Sequence, residues 1–285
     1  MGLAAALSLA PPGLAHAQAL DLVYERTVMT AADARCGLFT PEVSAALLAS
    51  QAQARGAALR AGASADALAA VVERARRRAS TEDCDSLEFT TAAARVRSAF
   101  AGYARVQRLS YPGERAGWNA DRAGPGQIRW RLVQDAAFGD DRLKFGLAGR
   151  TSPGVLLALA QFADGRTPFA ARLLLRDSRR SEAPYFDRLV GEVRGLPLAR
   201  RLPPRSALRI YTAEARSPAG SDLLPKGARS GWAFRFPASA AADLAGLDPR
   251  EAVAVEFLFE GDVVRRAYVE VGDFAAGRAF LTLAR

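Results

Sequence analysis

The hydrophobic pattern of the chain changes its period near residue 115. Before this point, apolar residues recur at the i, i+3, i+4 and i+7 spacing of an amphipathic helix, as in residues 64–80, where Leu68, Val71 and Ala75 share one face. After it, apolar and polar residues alternate as in half-buried strands, for example in residues 127–134. This pattern predicts a group of helices followed by a sheet.

The two halves predict an α+β fold, in which an N-terminal α-helical bundle tied by a disulfide precedes an antiparallel β-sandwich-like domain. The helical domain is expected at residues 20–115 and the β domain at 128–285. Residues 116–127 are rich in Gly and Pro, which predicts a linker, and Trp118 within it is expected to pack between the two parts.

Start signals mark the helices of the first part. Thr40 is expected to be an N-cap, with Pro41 at the first helical position. The spacing of Asp85 and Glu88 predicts a capping box at the start of the last helix. A shorter helix over residues 25–35 is expected to come first.

Eight segments of the second part alternate as strands do. Turns are expected at Asp164-Gly165 and at Glu260-Gly261-Asp262. The predicted strands cover residues 127–134, 142–149, 155–162, 169–176, 207–215, 231–237, 252–260 and 263–271, and short helices are expected at 238–247 and 273–277.

Residues 1–19 have the character of a signal peptide. An apolar run is followed by two prolines and then by Ala15-His16-Ala17, the small-x-small pattern of a cleavage site, although no Lys or Arg precedes the run. The alternative is an Ala-rich first helix, which the prolines disfavour. No other stretch approaches the ~20 apolar residues of a membrane span. The mature chain is therefore expected to be periplasmic or secreted, with no transmembrane span.

Cys36 and Cys84 are the two cysteines of the chain. In an oxidising compartment such a pair usually forms a disulfide. Zinc would need about four Cys or His ligands, and a nucleophilic cysteine would need a basic partner. Cys84 instead lies beside Glu82, Asp83 and Asp85, whose charges would raise the pKa of a thiol. We expect a structural disulfide, no metal site and no cofactor.

The single histidine, His16, lies within the expected leader. A mature chain without histidine excludes Ser-His-Asp and Cys-His catalysis and imidazole metal sites. Carboxylate-based hydrolysis of a glycan stays open as an alternative, although Asp140-Asp141 is more typical of a turn. The protein is more consistent with a non-catalytic role.

The formal net charge is +9, and all of the 39 basic residues except Lys144 and Lys226 are arginines. This charge favours either a surface for anionic polymers or a compositional preference for arginine. One of Arg265 and Arg266, which are adjacent on a predicted strand, is expected to pair with an acid such as Glu256 on the neighbouring strand.

An Arg-rich loop over residues 178–205 is the candidate binding segment, because long excursions of this kind often bind partners. Its aromatic residues could instead anchor the loop to its own core. The candidate binding residues are Arg179, Arg180, Tyr185, Phe186, Arg200 and Arg201.

Residues 234–281, from "FRFP" to "RAFL", resemble the C-terminal part of small bacterial envelope proteins of the invasion-associated locus B type. The resemblance covers only this stretch and contains no catalytic motif.

These features predict an exported, non-catalytic interaction module of the cell envelope. Its partner is expected to be an envelope protein or an anionic surface polymer, and not nucleic acid. The alternatives are a carboxylate-based glycan hydrolase and a passive structural component of the envelope.

Overall fold

The computed structural model describes residues 12–181, 183–188, 195–225, 228 and 230–282. Within these residues the chain forms six α-helices and two antiparallel β-sheets, and this α+β fold confirms the predicted fold class. Four of the helices come first, and the other two are short helices within the β part.

The four N-terminal helices are α1 (Pro12–Cys36), α2 (Pro41–Arg60), α3 (Ala65–Thr81) and α4 (Leu87–Phe100). Helix α2 begins as predicted, with Thr40 at the N-cap and a proline in its first turn. Helix α4 has a different cap from the one expected, because Ser86 and not Asp85 is the N-cap and accepts a hydrogen bond from the Phe89 backbone N–H.

Helix α1 is longer than the predicted helix over residues 25–35. Tertiary packing explains the difference, since Ala19, Leu20 and Val23 pack in one apolar cluster with residues of α2 and α3. Residues 1–11 of the expected leader lie outside the described residues, and Pro12 to Ala19 form the first turns of α1.

The β part contains two sheets, each antiparallel throughout. The seven-stranded sheet has the order β1-β2-β3-β4-β5-β9-β8, and the four-stranded sheet has the order β11-β10-β6-β7. The strands are β1 (Arg108–Tyr111), β2 (Trp118–Asp121), β3 (Arg129–Phe138), β4 (Asp141–Gly149), β5 (Val155–Gln161), β6 (Ala170–Arg176), β7 (Leu208–Thr212), β8 (Ala215–Pro218), β9 (Trp232–Arg235), β10 (Ala252–Phe259) and β11 (Val263–Glu270). Helices α5 (Ala238–Ala245) and α6 (Phe274–Leu281) complete the fold.

The core of the β part lies between the sheets. Apolar residues that alternate along the strands of both sheets, such as Phe145 of β4 and Phe257 of β10, are fully buried in one cluster. Helices α5 and α6 pack against the same cluster through Leu244, Phe274 and Phe280. The alternation seen in the sequence therefore corresponds to an inner apolar face and an outer polar face.

Three strands and one tryptophan of the β part differ from the expectations. Strands β1 and β2 lie in segments expected to be helical and linker, and β8 follows β7 where no separate strand was expected. Trp118 is fully buried in the β core, where its indole Nε1–H donates to the Val271 carbonyl at 2.9 Å. The predicted turn at Asp164-Gly165 is present, and it carries the chain from one sheet to the other, because β5 pairs with β4 and β9 while β6 pairs with β10 and β7.

The helical part is attached to the β part by a buried ion pair. Arg60 at the end of α2 donates to both oxygens of Asp273, which precedes α6, at 2.7 and 2.9 Å. Burial raises the pKa of the Asp273 carboxyl, and the guanidinium group of Arg60 opposes this effect. The bidentate geometry fixes the position of α2 on α6.

The disulfide Cys36–Cys84 is present and joins the end of α1 to the connection between α3 and α4. No helix among the residues described has both the length and the apolar character that a membrane span needs.

Replacing both cysteines by serine should lower the free energy of unfolding by about 4 kcal/mol, because the bridge closes a loop of 48 residues in the unfolded chain. Urea unfolding of the purified wild type and of the double variant would measure this difference. The wild type should also show no reactive thiol in the native state. Two titratable thiols in the wild type, or equal stability of the two proteins, would contradict the structural role.

Candidate functional site

The candidate segment follows β6, and part of it lies against the four-stranded sheet. Its short 3-10 helix Leu198–Arg201 packs on β10 and β11. Residue 182 and residues 189–194 of the segment lie outside the described residues. The described residues show which of the candidate side chains are interior and which are exposed.

The base of the segment is held by a buried ion pair between Arg176 and Glu251. Arg176 Nε and Nη2 donate to the two carboxylate oxygens of Glu251 at 2.6 and 3.0 Å, and both side chains are almost fully buried. Burial raises the pKa of the Glu251 carboxyl, against the opposing effect of the Arg176 charge. The pair fixes where the chain leaves β6.

Arg201 is a second anchor, and its side chain is fully buried. Its guanidinium donates to Glu114 Oε1 at 2.8 Å and to the Leu196 carbonyl at 2.9 and 3.0 Å. Arg201 was expected to be a binding residue, but its burial removes it from any exposed binding surface. It attaches the segment to the loop between β1 and β2.

The pKa of the Glu114 carboxyl is lowered. Partial burial acts to raise it, but hydrogen bonds from Arg201 and from the Gly195 backbone N–H, together with the charges of Arg201 and Arg115, outweigh this effect. The ionised form of Glu114 is thus the form that holds the segment.

The two aromatic candidates have different environments. Phe186 is fully buried, and the guanidinium carbon of Arg250 lies 5.2 Å from the centre of its ring. Tyr185 is partly buried. Phe186 thus anchors the segment to the core, which was the alternative considered for it.

Arg179, Arg180 and Arg200 are exposed. The turn that contains Arg179 and Arg180 lies against residues 205–207, because Asp177 N–H donates to the Ala207 carbonyl and Arg180 Nη1 donates to the Ser206 carbonyl. This contact brings the exposed Arg205 next to the turn. We call Arg179, Arg180 and Arg205 the arginine cluster.

Arg200 lies on the 3-10 helix at another part of the segment. Beside this helix is a cavity of about 510 Å³, lined by Leu198 and by Arg265, Arg266 and Tyr268 of β11. The arginines of this cavity are paired. Arg266 contacts Glu256 on β10, as predicted for one of the two, and Arg265 Nη1 donates to Asp141 of β4 at 3.0 Å.

Two further cavities, of about 730 and 280 Å³, adjoin the turn between β3 and β4 and share Asp140, Arg142 and Gln161. Gly139 and Asp140 form the turn that the sequence predicted. The larger cavity has a second exposed acid, Asp135, whose Oδ1 lies 2.7 Å from Lys144 Nζ. Asp141 is buried and accepts from Arg265 and from the Ala163 backbone N–H.

No group of three Cys, His, Asp or Glu side chains suited to a metal ion occurs among the described residues. Comparison of the chain with protein-family models, with curated proteins and with solved structures gives no match.

Sequence reasoning missed the acids that hold the segment, Glu114 and Glu251, and the third arginine of the cluster, Arg205. Arg201 and Glu114 are separated by 87 residues, and Arg176 and Glu251 by 75. Such pairs carry no local spacing signal. The acidic partner of Arg266 was found because Glu256 lies on the adjacent strand of a recognisable hairpin.

Arg201→Ala should lower the free energy of unfolding by about 3 kcal/mol, since it leaves a cavity and an unpaired, partly buried carboxylate. Arg200→Ala on the same 3-10 helix is the matched control and should change stability by less than about 0.5 kcal/mol. Urea unfolding of both variants checks this. A neutral Arg201→Ala, or equal losses in the two, would show that Arg201 is not an anchor.

The Glu114 anchor should depend on pH. Because the pKa of Glu114 is lower in the folded chain, its ionised carboxylate stabilises the fold above its usual value of 4.5, and this contribution is lost as the pH falls below that value towards the folded pKa. Urea unfolding of the wild type and of Glu114→Gln between neutral pH and about pH 3 should show a difference that disappears at the acid end. A difference that is constant over this range would contradict the assignment.

Proposed function

We propose that this protein is an exported, non-catalytic interaction module of the cell envelope that binds an anionic surface polymer through the arginine cluster. The observation that carries the proposal is that hydrogen bonds hold the turn with the exposed Arg179 and Arg180 against residues 205–207, which include the exposed Arg205. Planar guanidinium groups bind carboxylate, sulfate and phosphate oxygens in bidentate geometry.

The environment of the cluster supports a polymer more than a protein partner. Protein interfaces depend on aromatic and aliphatic anchors at their centre. Among the described residues of the candidate segment, the aromatic residue Phe186 is buried, and the arginines of the cluster are exposed. The buried Arg176–Glu251 pair also holds the first turn in place, which lowers the entropy cost of binding.

Export is supported by the disulfide and by the leader-like residues 1–19. A periplasmic or secreted location is part of the proposal. Under it, the binding site faces an environment in which acidic envelope polymers are accessible.

The glycan hydrolase alternative gains less support. It requires two carboxylates ~5–10 Å apart in a cleft, one of them with a raised pKa. The described carboxylates with raised pKa values, Glu251 and Asp273, are buried against Arg176 and Arg60 and line none of the cavities described above. A passive structural role is the alternative that the binding experiment tests directly.

The triple variant Arg179→Ala/Arg180→Ala/Arg205→Ala should weaken binding to polygalacturonate or dextran sulfate by about tenfold or more, because each charge-assisted contact contributes about 1.5 kcal/mol or more. Binding by the wild type should also weaken as salt is raised. Calorimetry with each polymer, and with neutral dextran as the negative ligand, would measure this.

The control variant Arg55→Ala/Arg76→Ala/Arg105→Ala removes the same number of positive charges from exposed positions of the N-terminal part. It should retain most of the affinity if the cluster is the site. Equal losses in the two triple variants would mean that only net charge matters. The absence of polymer binding in the wild type would favour a protein partner or the structural role.

A further inference from the structure

A polar groove lies on the seven-stranded sheet, beside the turn between β3 and β4. It consists of the two cavities of about 730 and 280 Å³, which adjoin each other through their shared residues Asp140, Arg142 and Gln161. The volume of the larger cavity is within the range of small-ligand sites. No residue of the arginine cluster lines either cavity, so the groove is a separate surface of the protein.

The outer face of the sheet forms the floor of this groove. Lys144 of β4 lies opposite Asp135 of β3. Arg142 of β4 lies opposite Gln161 of β5. Along β4, Arg142 and Lys144 alternate with the core residue Leu143, and alternate residues of a strand point to opposite faces of its sheet. The four polar side chains therefore share the face that is turned away from the core, on a regular sheet that holds their backbone in place before a ligand binds.

The charges that line the groove cancel. The two cavities are lined by three acidic and three basic side chains, those of Asp135, Asp140, Asp141, Arg142, Lys144 and Arg166. Their formal charges sum to zero, unlike those of the arginine cluster. The groove therefore attracts neither an anion nor a cation by net charge, and it favours a neutral ligand.

Donors and acceptors lie side by side at the centre of the groove. Asp140 and Arg142 are exposed, and neither forms an ion pair or a side-chain hydrogen bond among the described residues. Gln161 Nε2 donates to the Ser230 carbonyl at 3.0 Å, which orients the amide group of this side chain. A hydroxyl group is both a donor and an acceptor. A ligand with several hydroxyl groups can thus bond to the carboxylate and to the guanidinium group at the same time.

The smaller cavity adds aromatic surface to these polar groups. Phe162 and Trp232 line it, and both are partly exposed. The guanidinium carbon of Arg216 lies 4.9 Å from the centre of the Trp232 ring, which supports the position of this side chain. Aromatic surface beside a few polar groups is typical of small-ligand sites. A sugar ring has the matching properties, because it presents C–H groups as well as hydroxyl groups.

We propose that this groove binds a neutral oligosaccharide without cleaving it. Its hydroxyl groups donate to Asp140 and accept from Arg142, and one sugar ring packs against Phe162 and Trp232. Cleavage by two carboxylates would require a second available acid. Asp135 is paired with Lys144, and Asp141 is buried and accepts from Arg265. The groove is independent of the proposed polymer-binding function, which uses the arginine cluster.

The test is calorimetric titration of the full chain with cellotetraose, maltotetraose and chitotetraose. The wild type should bind at least one of these neutral tetrasaccharides. The variant Asp140→Ala/Arg142→Ala should weaken this binding by about tenfold or more, because hydrogen bonds to two charged groups are lost. The affinity of the wild type should change little as salt is raised, since the ligand carries no charge. The tetrasaccharide should be recovered intact.

The matched control is Asp66→Ala/Arg76→Ala on α3, which also removes one acid and one base from exposed positions and leaves the net charge unchanged. It should bind the tetrasaccharide as the wild type does. Circular dichroism and urea unfolding would establish that each variant is folded. Failure of the wild type to bind any of the three ligands, or equal losses in the two double variants, would overturn the proposal.

Two further outcomes would also count against this assignment. Binding of tetragalacturonate without binding of a neutral tetrasaccharide would overturn the neutral ligand class. Shorter sugars released from the tetrasaccharide would overturn the non-catalytic role of the groove. Conversely, loss of polymer binding in the arginine-cluster variant, with tetrasaccharide binding unchanged, would support two independent sites.

Discussion

The arrangement of the other parts depends on the hydrogen bonds that the carboxylate of Glu270, at the end of β11, accepts. It is fully buried and accepts hydrogen bonds from three successive backbone N–H groups, those of Glu114, Arg115 and Ala116, at 2.7–3.1 Å. The same loop presents the Glu114 side chain to Arg201. Three residues after Glu270, Asp273 pairs with Arg60 of α2. The helical part and the candidate segment are therefore both attached to one buried polar junction.

Arginine serves as an interior residue elsewhere in this protein. Arg131 is almost fully buried and donates only to backbone carbonyls, including that of Gly149 at 3.2 Å. Arg122 donates to the Val106 carbonyl at 2.7 Å and lies over the Phe280 ring. Removing one partner of such a contact leaves a buried charge or carbonyl group without a hydrogen bond. These arginines therefore fix the positions of the loops that contain the carbonyl groups.

The sequence predicted most of what depends on local pattern. The buried face of α3 follows from helical periodicity, and the hairpin of β10 and β11 follows from alternation on both sides of a short turn. The disulfide follows from the two cysteines and the expected oxidising compartment. It did not predict β1 and β2, because their core residues Tyr111 and Trp118 lie among Gly and Pro and become buried only when α6 packs on them. Arg201 was interpreted as a surface residue because its burial depends on Glu114, which is distant in the sequence. A run of two arginines does not show which one lies opposite a distant glutamate.

The interior arginines change how the basic charge is interpreted. Arg176 and Arg201 are neutralised by Glu251 and Glu114, so they add little to the field outside the protein. A general preference for arginine would explain how many arginines the chain contains, and it predicts that the exposed ones are scattered. It does not explain why the turn at residues 177–180 is held against residues 205–207, which places the exposed Arg205 beside the turn that contains Arg179 and Arg180. That juxtaposition is created by the fold, and it is the part of the charge distribution that composition alone does not produce.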